Sequence, residues 1–422
     1  MDSAYQNLNW FRNILRNTRL PNDRYFKKAT SYLNELCYLI PNRRTGSVGN
    51  RKATEFFAQI IKPWDYLIDT KSFHCLDYKV GGASLLRQNT SYKVYVSPFS
   101  VGCDVRGELA VVSSIEELER YSFTDKILLM KGDLCTEMLM PKNFVFYNPD
   151  HHKKIYSLLE EKSPKAIITA TAKSPQLVGA LYPFPMIADG DFDIPSVFCT
   201  DDTGDKIAQH SEEKFTLKIK AQRIPATAYN VIGRKNPDAP KKMTVTAHID
   251  TWENTPGALD NASGIVVLLL LAEMLSGYQG NMGIEIAAFN GEDYYNAAGQ
   301  MDYLSRYGRD LDNTSVAINI DDVGYIRGKT TFSLYQCPLT TERIADVVFG
   351  RYKGLVLGEP WFQGDHMIFV QKGIAAIAFT SDQVTELMAN ITHTPKDTPE
   401  IVDCLKLVEL ATALKEFIRN YK

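Results

Sequence analysis

The 422-residue chain has no CxxC pair, no long apolar run and no excess of charge of either sign. Each absence excludes something. Its seven cysteines (Cys37, Cys75, Cys103, Cys135, Cys199, Cys337, Cys404) are scattered and odd in number. That pattern argues against a disulfide framework or a thiolate zinc site and fits free thiols in a reducing compartment. No run approaches the roughly 18 apolar residues that would span a bilayer. The start, Met1-Asp2-Ser3-Ala4-Tyr5-Gln6-Asn7, carries neither a basic region nor an apolar leader, so the expectation is a cytoplasmic protein without a membrane partner. A formal net charge of −3 gives no electrostatic case for nucleic acid. Internal repeats and low-complexity tracts are lacking too.

What is present is an ordinary globular composition, 45% apolar and 23% charged, on a chain long enough for two or three domains. Apolar periodicity predicts helices over Phe26 to Leu39 and Lys52 to Ile61, with the Arg43 to Asn50 turn between them, and a strand over Tyr66 to Phe73. From 95 to 222 the texture changes to short strands, such as Lys126 to Met130 and Ala166 to Ala170, between short helical pieces. This stretch reads as a small inserted domain without an acid–histidine cluster, and its His151 and His152 read as solvated loop residues. Residues 1–94 and 223–422 then form one discontinuous domain.

From Asn230 the pattern alternates. Strands are predicted at Asn230 to Gly233, Met243 to Ala247, Ile284 to Phe289, Ser315 to Ile320 and Ala375 to Phe379. Helices are predicted at Gly264 to Leu275, Ala297 to Tyr307, Thr340 to Arg351 and His366 to Lys372. A last helix should start at Thr398 as cap, with Pro399 and Glu400 in its first turn. The fold class is therefore α/β, a doubly wound, mostly parallel sheet with helices on both faces, plus the small inserted α/β domain.

Acidic and histidine residues fall where these strands end: His248, Asp260, the pair Glu292-Asp293, and Asp321, with His393 in a loop before the last helix. Strand C-termini of a parallel sheet share one edge, so these groups can meet. Alone, each has a plainer reading, as a surface pair, a helix N-terminal acid, a turn or a loop residue. Their common order and placement favour a site. The set suits two divalent ions, with Asp260 bridging, His248 and Asp321 on one ion, and Asp293 and His393 on the other. Each ion would keep an open position, the catalytic rather than the structural pattern for zinc. Two ions about 3.5–4 Å apart can share a hydroxide and polarise a carbonyl. Glu292 is left free as general base, and Asp250, two residues beyond His248, can orient the imidazole. Trp361, Phe362, Leu387 and Met388 could line an apolar substrate pocket, or simply pack loops. Asp365 and His366 read as supporting residues.

The segments HIDTWENTPGALDNASG, FNGEDYYNAAGQMDYL, NIDDVG, GDHMIFVQKGIAAI and HTPKDT resemble the co-catalytic di-zinc aminopeptidases, the group of secreted bacterial leucyl-type aminopeptidases and glutamate carboxypeptidase II. RRTGSVGNRKATEFF resembles the group's opening helices. The resemblance implies a zinc-exopeptidase-like fold, two divalent ions (zinc first), ligands at His248, Asp260, Asp293, Asp321 and His393, and Glu292 as base. It implies peptide substrates with a free N-terminus, and a protease-associated domain over 95–222. A homo-oligomer is compatible with an insert beside the site. The short gap from His248 to Asp260 separates this group from amidohydrolase-type metallopeptidases. Three positions depart from the usual pattern: Glu-Glu is commonly found where Glu292-Asp293 stands, Tyr where Thr392 stands, and Ser where Gly364 stands. The alternatives are a non-catalytic binding protein on the same fold, as in the transferrin receptor, or a carboxypeptidase or glutaminyl cyclase activity.

Overall fold

Residues 23–173 and 181–421 are described in a computed structural model; Met1–Asn7, read above for a leader, lies outside them. The chain forms two eight-stranded sheets. The order of the first is Leu67–Asp69, Val231–Lys235, Gly283–Phe289, Lys242–His248, Thr314–Ile320, Ala376–Ser381, Thr330–Tyr335 and Leu355–Leu357. Its four central strands, Gly283–Phe289 through Ala376–Ser381, are mutually parallel. The strands flanking them pair antiparallel. This is the expected mostly parallel α/β sheet.

The central strands alternate sharply. Val245, Ile286, Ile318, Ile377 and Phe379 point into one core, with the helices Val48–Ile61, Gly264–Met274 and Cys404–Asn420. Ala287, Phe289, Ala317, Ala376 and Ala378 point into another, with Tyr303 and Phe369. Period-2 burial on both faces is what a strand covered by helices on each side requires. The helix Gly264–Met274 is buried at every position. Four consecutive leucines, Leu268 to Leu271, lie wholly inside, each contributing about 1.5–3 kcal/mol by its removal from water.

Three expectations need correction. The Tyr66 to Phe73 strand is two strands, Leu67–Asp69 and Ser72–Arg87, which belong to different sheets. The last helix runs Cys404–Asn420 with Asp403 as its cap, accepting from Leu405 N at 2.9 Å. Pro399–Ile401 closes only a 3-10 turn. There Val402 turns extended and bridges Tyr325, so the helix cannot begin until that pairing ends. Lastly, the expected limits 95–222 do not coincide with the second sheet. Its order is Thr90–Tyr92, Ser72–Arg87, Lys214–Tyr229, Cys103–Val112, Lys126–Met130, Ala166–Thr171, Ser196–Thr200 and Tyr95–Val96. The long ribbon Ser72–Arg87 with Lys214–Tyr229 pairs from Ser72↔Tyr229 to Leu86↔Thr216. It leads without a linker from one sheet into the other, so no composition break marks the passage.

His151 and His152 also differ from expectation. They lie in the helix Asp150–Lys162; His151 is exposed, but His152 is buried, and both face Glu137. Met140 N–H donates to His152 Nδ1 at 3.0 Å. The proton of the neutral ring therefore sits on Nε2, which lies 3.1 Å from Glu137 Oε1 but makes no hydrogen bond. Glu137, hydrogen-bonded to His151 at 2.9 Å, thus forms with the two histidines an acid–histidine group in a stretch expected to have none. All seven cysteines are free. Among the described residues no helix is long and apolar enough to cross a membrane.

Candidate metal centre

The strand Lys242–His248 delivers His248, buried, to the carboxyl edge of the first sheet. The loop that follows is held from behind by Arg43, itself almost wholly buried. Its guanidinium donates to the carbonyls of Ile249 (3.1 Å), Pro256 (3.0 Å) and Gly257 (2.8 Å), and to that of Leu36 (2.7 Å). Four carbonyls stand in for the hydration a buried cation would lose. Gly257 has φ +60, and a Cβ there would meet Thr251 Cγ2 at 2.3 Å, so only glycine fits this turn.

Asp260 sits in the irregular turn Ala258–Ser263. The Asp397 carboxylate accepts from Leu259 N (2.7 Å) and Asp260 N (3.1 Å) and sets the backbone from which the Asp260 side chain projects. Asn261 reaches across to Ile320 O at 2.8 Å and accepts from Gly264 N at 2.9 Å, tying the turn to the neighbouring strand end and the helix start. Asp321 follows that strand, its N–H donating to Phe379 O at 3.0 Å.

Asp250 is the organiser of the opposite side. Its carboxylate accepts from Gly291 N (2.8 Å), Glu292 N (3.3 Å) and Asp293 N (3.1 Å), and from Thr45 Oγ1 (3.0 Å). It also lies 3.7 Å from His248 Nδ1. Asn50 Nδ2 donates to Asn290 Oδ1 at 2.9 Å, which also lies 3.1 Å from Thr45 Oγ1. The residues of the Arg43 to Asn50 turn thus form the buried backing of the site. The sequence gives little sign of this, because they stand some two hundred positions from their partners.

These scaffolds bring the five predicted groups together. His248 Nε2 lies 3.1 Å from Asp260 Oδ1 and 3.4 Å from Asp321 Oδ1. His393 Nε2 lies 3.0 Å from Asp260 Oδ2 and 3.0 Å from Asp293 Oδ1. Asp260 turns one oxygen to each group, as a bridge would. Donors sharing one tetrahedral ion at bond lengths of about 2.0–2.2 Å stand about 3.3 Å apart, which matches these separations. His248 Nε2, Asp293 Oδ2 and Asp321 Oδ1 are also buried without a hydrogen-bond partner. Orphaned donor atoms converging on one place are costly unless something fills it, so the residues fit divalent ions.

The electrostatics agree. Burial opposes a charged His248, yet Asp321, Asp250 and Asp260 carry its pKa well above the usual imidazole value. His393 is likewise raised by Asp293 and Asp260 against burial. Burial first, then the Asp293, Asp321 and Asp365 carboxylates, push Glu292 well above the carboxylate range. Negative charge is in surplus here, and cations would relieve it. Glu292 belongs to neither three-residue group.

The four residues read as lining an apolar pocket or packing loops differ in their surroundings. Leu387 is fully buried in the main core, and its carbonyl accepts from Thr392 N at 3.0 Å. Trp361 packs on His366 with ring centroids 4.5 Å apart, Phe362 is largely exposed and Met388 half-buried. Thr392 is buried with its hydroxyl directed to Leu387 O (3.4 Å), so it does not take the place of the usual Tyr. Gly364 has φ +100, and a Cβ would meet the Trp361 ring at 2.9 Å, so the usual Ser cannot stand here. Asp365 is fully buried and accepts from Gln300 Nε2 at 2.6 Å, and His366 faces Trp361 O at 3.0 Å; both support the site loops.

Sequence reasoning missed Arg43, Thr45, Asn50, Asn290 and Asp397. Only Asp397 carried a signal, four residues after His393. It also missed Trp252, whose ring stacks on that of His393 (centroids 5.1 Å, planes 14° apart).

The chain is similar to known proteins. Residues 230–418 match the model of Peptidase family M28. The segment is similar to that family over a little under half of the chain. All five acidic and histidine positions, and Glu292, lie inside the M28 segment. Aminopeptidase YwaD of Bacillus subtilis (strain 168) is 30% identical over 256 residues, 56% of this chain and 54% of the relative, so the match spans about half the length of that relative. The solved aminopeptidase from Aneurinibacillus sp. strain AM-1 superposes with a TM-score of 0.73 at 20% identity, covering 93% of both chains. BSAP, a zinc aminopeptidase from Bacillus subtilis, gives 0.72 at 20% identity over 93% of this chain and 94% of its own. At that identity the two structures establish the fold, which extends beyond the M28 segment to nearly the whole chain.

Proposed function

We propose that the protein is a metal-dependent aminopeptidase that hydrolyses the N-terminal peptide bond of peptides. The observation that carries this reading is the pair of donor groups sharing Asp260, with Glu292 beside them and outside both. Bound at His248, Asp260 and Asp321, and at Asp260, Asp293 and His393, two divalent ions, zinc first, would supply Lewis-acid polarisation of the scissile carbonyl and acidify water toward neutrality. Glu292 takes the proton of the attacking water and gives it to the departing amine, so one water is consumed, the C–N bond breaks, and an acid and an amine are released. Asp250 keeps Glu292 in reach through the backbone N–H groups of its loop. Asp293, one methylene shorter than the usual Glu, keeps an oxygen 3.0 Å from His393 Nε2 and so still serves that group.

The second sheet is proposed as the protease-associated part. It touches the site loop through Phe99, whose ring lies 5.3 Å from that of Tyr294 and 4.8 Å from that of Tyr295, just after Glu292-Asp293. Leu76 N donates to Tyr294 Oη at 2.6 Å across the same contact. The second-sheet part thereby packs on the residues that directly follow Glu292-Asp293. A reducing, cytoplasmic setting is proposed from the free cysteines.

The test is release of free amino acids from unblocked peptides of varied N-terminus by protein loaded with zinc, cobalt or manganese. N-blocked peptides, C-terminal release and N-terminal glutamine cyclisation are followed in parallel. Release from unblocked peptides alone is expected. No release from any N-terminus would leave the non-catalytic reading, while C-terminal release or cyclisation would select those activities.

A further inference from the structure

The two histidines of the site are held differently. Behind His248 stands a carboxylate, Asp250, with its Oδ1 3.7 Å from Nδ1. Behind His393 there is none among the described residues, whose carboxylate contacts to it within 4 Å are the two at Nε2, from Asp260 and Asp293. Its backbone is well fixed. His393 adopts φ +59 between two buried threonines; Thr392 N donates to Leu387 O, and Thr394 N and Oγ1 donate to Ile391 O at 3.2 and 2.5 Å. These bonds fix the backbone and leave the plane of the imidazole free. Against that plane lies the indole of Trp252, nearly parallel to it.

Trp252 is in turn carried on a held loop. Arg43 grips the carbonyls before and after it, at Ile249 and at Pro256 and Gly257. Arg44 pairs with the adjacent Glu253 at 3.3 Å and with Asp77 of the second sheet. A ligating histidine ordinarily needs a partner that fixes its ring. An aromatic face suits one that becomes electron-poor on coordination, because the ring quadrupole attracts positive charge.

We propose that Trp252 is a positioning residue for the second metal position, the one formed by Asp260, Asp293 and His393, and that the indole replaces the carboxylate partner His393 lacks. The inference rests on the two-ion reading above, but not on the aminopeptidase activity. It assigns to the loop between His248 and Asp260 a function beyond spacing: Trp252 within it controls occupancy of the second position.

The test is calorimetric titration of metal-stripped protein with zinc, together with metal analysis after gel filtration, for wild type, Trp252→Leu and Trp252→Phe. Trp252→Leu is expected to bind the second ion about 10–100-fold more weakly, the usual range for losing a partner behind a ligating histidine, with the first ion unchanged. Trp252→Phe keeps a stacking face and is expected to stay within a few-fold of wild type. The first ion is the internal control for folding. Unchanged second-ion affinity in Trp252→Leu overturns the proposal, as does equal weakening of both ions, or a wild type that binds one ion only. A protein that binds two ions and shows these shifts, yet cleaves no peptide, upholds this proposal while refuting the proposed activity.

Discussion

The two halves of the candidate centre share Asp260 and little else. His248 and Asp321 stand at the ends of neighbouring parallel strands, paired in register from Met243↔Val316 to Thr246↔Asn319. Their side chains are 1% and 12% exposed. Asp293 and His393 come from two loops, and the His393 side chain is 27% exposed. One half is thus set by backbone ladders and the other by side chains acting on loops, namely Asp250 and Trp252, while Asp397 holds the shared Asp260. A sheet edge holds two donors at fixed spacing because the strands cannot move separately. A loop must be held residue by residue, and each restraint can be removed singly.

The largest effect expected leaves both halves intact. Glu292→Gln keeps the size and the backbone contacts of the residue but cannot take a proton. It should lower kcat by about 10²–10⁴-fold while metal analysis still finds wild-type content. Retained turnover would show that the base is elsewhere; lost metal would place Glu292 within the ligand set and undo the division between the halves.

Asp250 tests how independent the halves are. Its carboxylate accepts from three N–H groups of the Gly291–Asp293 loop while facing His248. Asparagine would present its NH2 group to donors and could satisfy only some of them. Asp250→Asn should therefore weaken both ions, each by about 10–100-fold, in the same titration as the Trp252 variants. Weakening of the His248 position alone would mean that Asp250 orients an imidazole and nothing more, and that Asp293 holds its place unaided.

The same division explains what could be read from the sequence. His248, Asp321 and Glu292-Asp293 were legible because each ends a continuous apolar run, and a parallel sheet brings such ends to one edge. Asp260, in the turn before the Gly264 helix, and His393, in the loop before the last helix, completed the set, and the family motifs fell on the same residues. The restraints on the loops were not legible. Arg43 and Thr45 act on residues some two hundred positions away, and a buried arginine among carbonyls looks in sequence like any turn arginine. Leu387 looked available for a pocket because it adjoins loops, whereas its helix turns it into the core. The ribbon Ser72–Arg87 with Lys214–Tyr229 hid the limits of the second sheet, since one uninterrupted strand pattern serves both sheets. Thr398-Pro399-Glu400 has the composition of a helix start, and only the long-range bridge from Val402 to Tyr325 shows why the helix begins later.

The smallest effect expected concerns the order in which ions leave. On the strand side the donors are already ordered before an ion arrives. On the loop side, binding must also order whatever freedom the His393 and Asp293 loops retain, at a cost on the order of 1–2 kcal/mol for each residue immobilised, which is about tenfold in affinity for one such residue. Stepwise chelation of the zinc-loaded protein should then show two phases, with one ion removed at about tenfold lower chelator concentration than the other. His393→Ala should lose the more labile phase and keep the tighter one, whereas His248→Ala should lose the tighter phase. Simultaneous release in wild type would show that Asp260 couples the positions so strongly that the difference between strand and loop does not reach the ions. Reversal of the assignments, with His248→Ala losing the labile phase, would show that the side-chain restraints on the loops hold their ion more firmly than the sheet edge does.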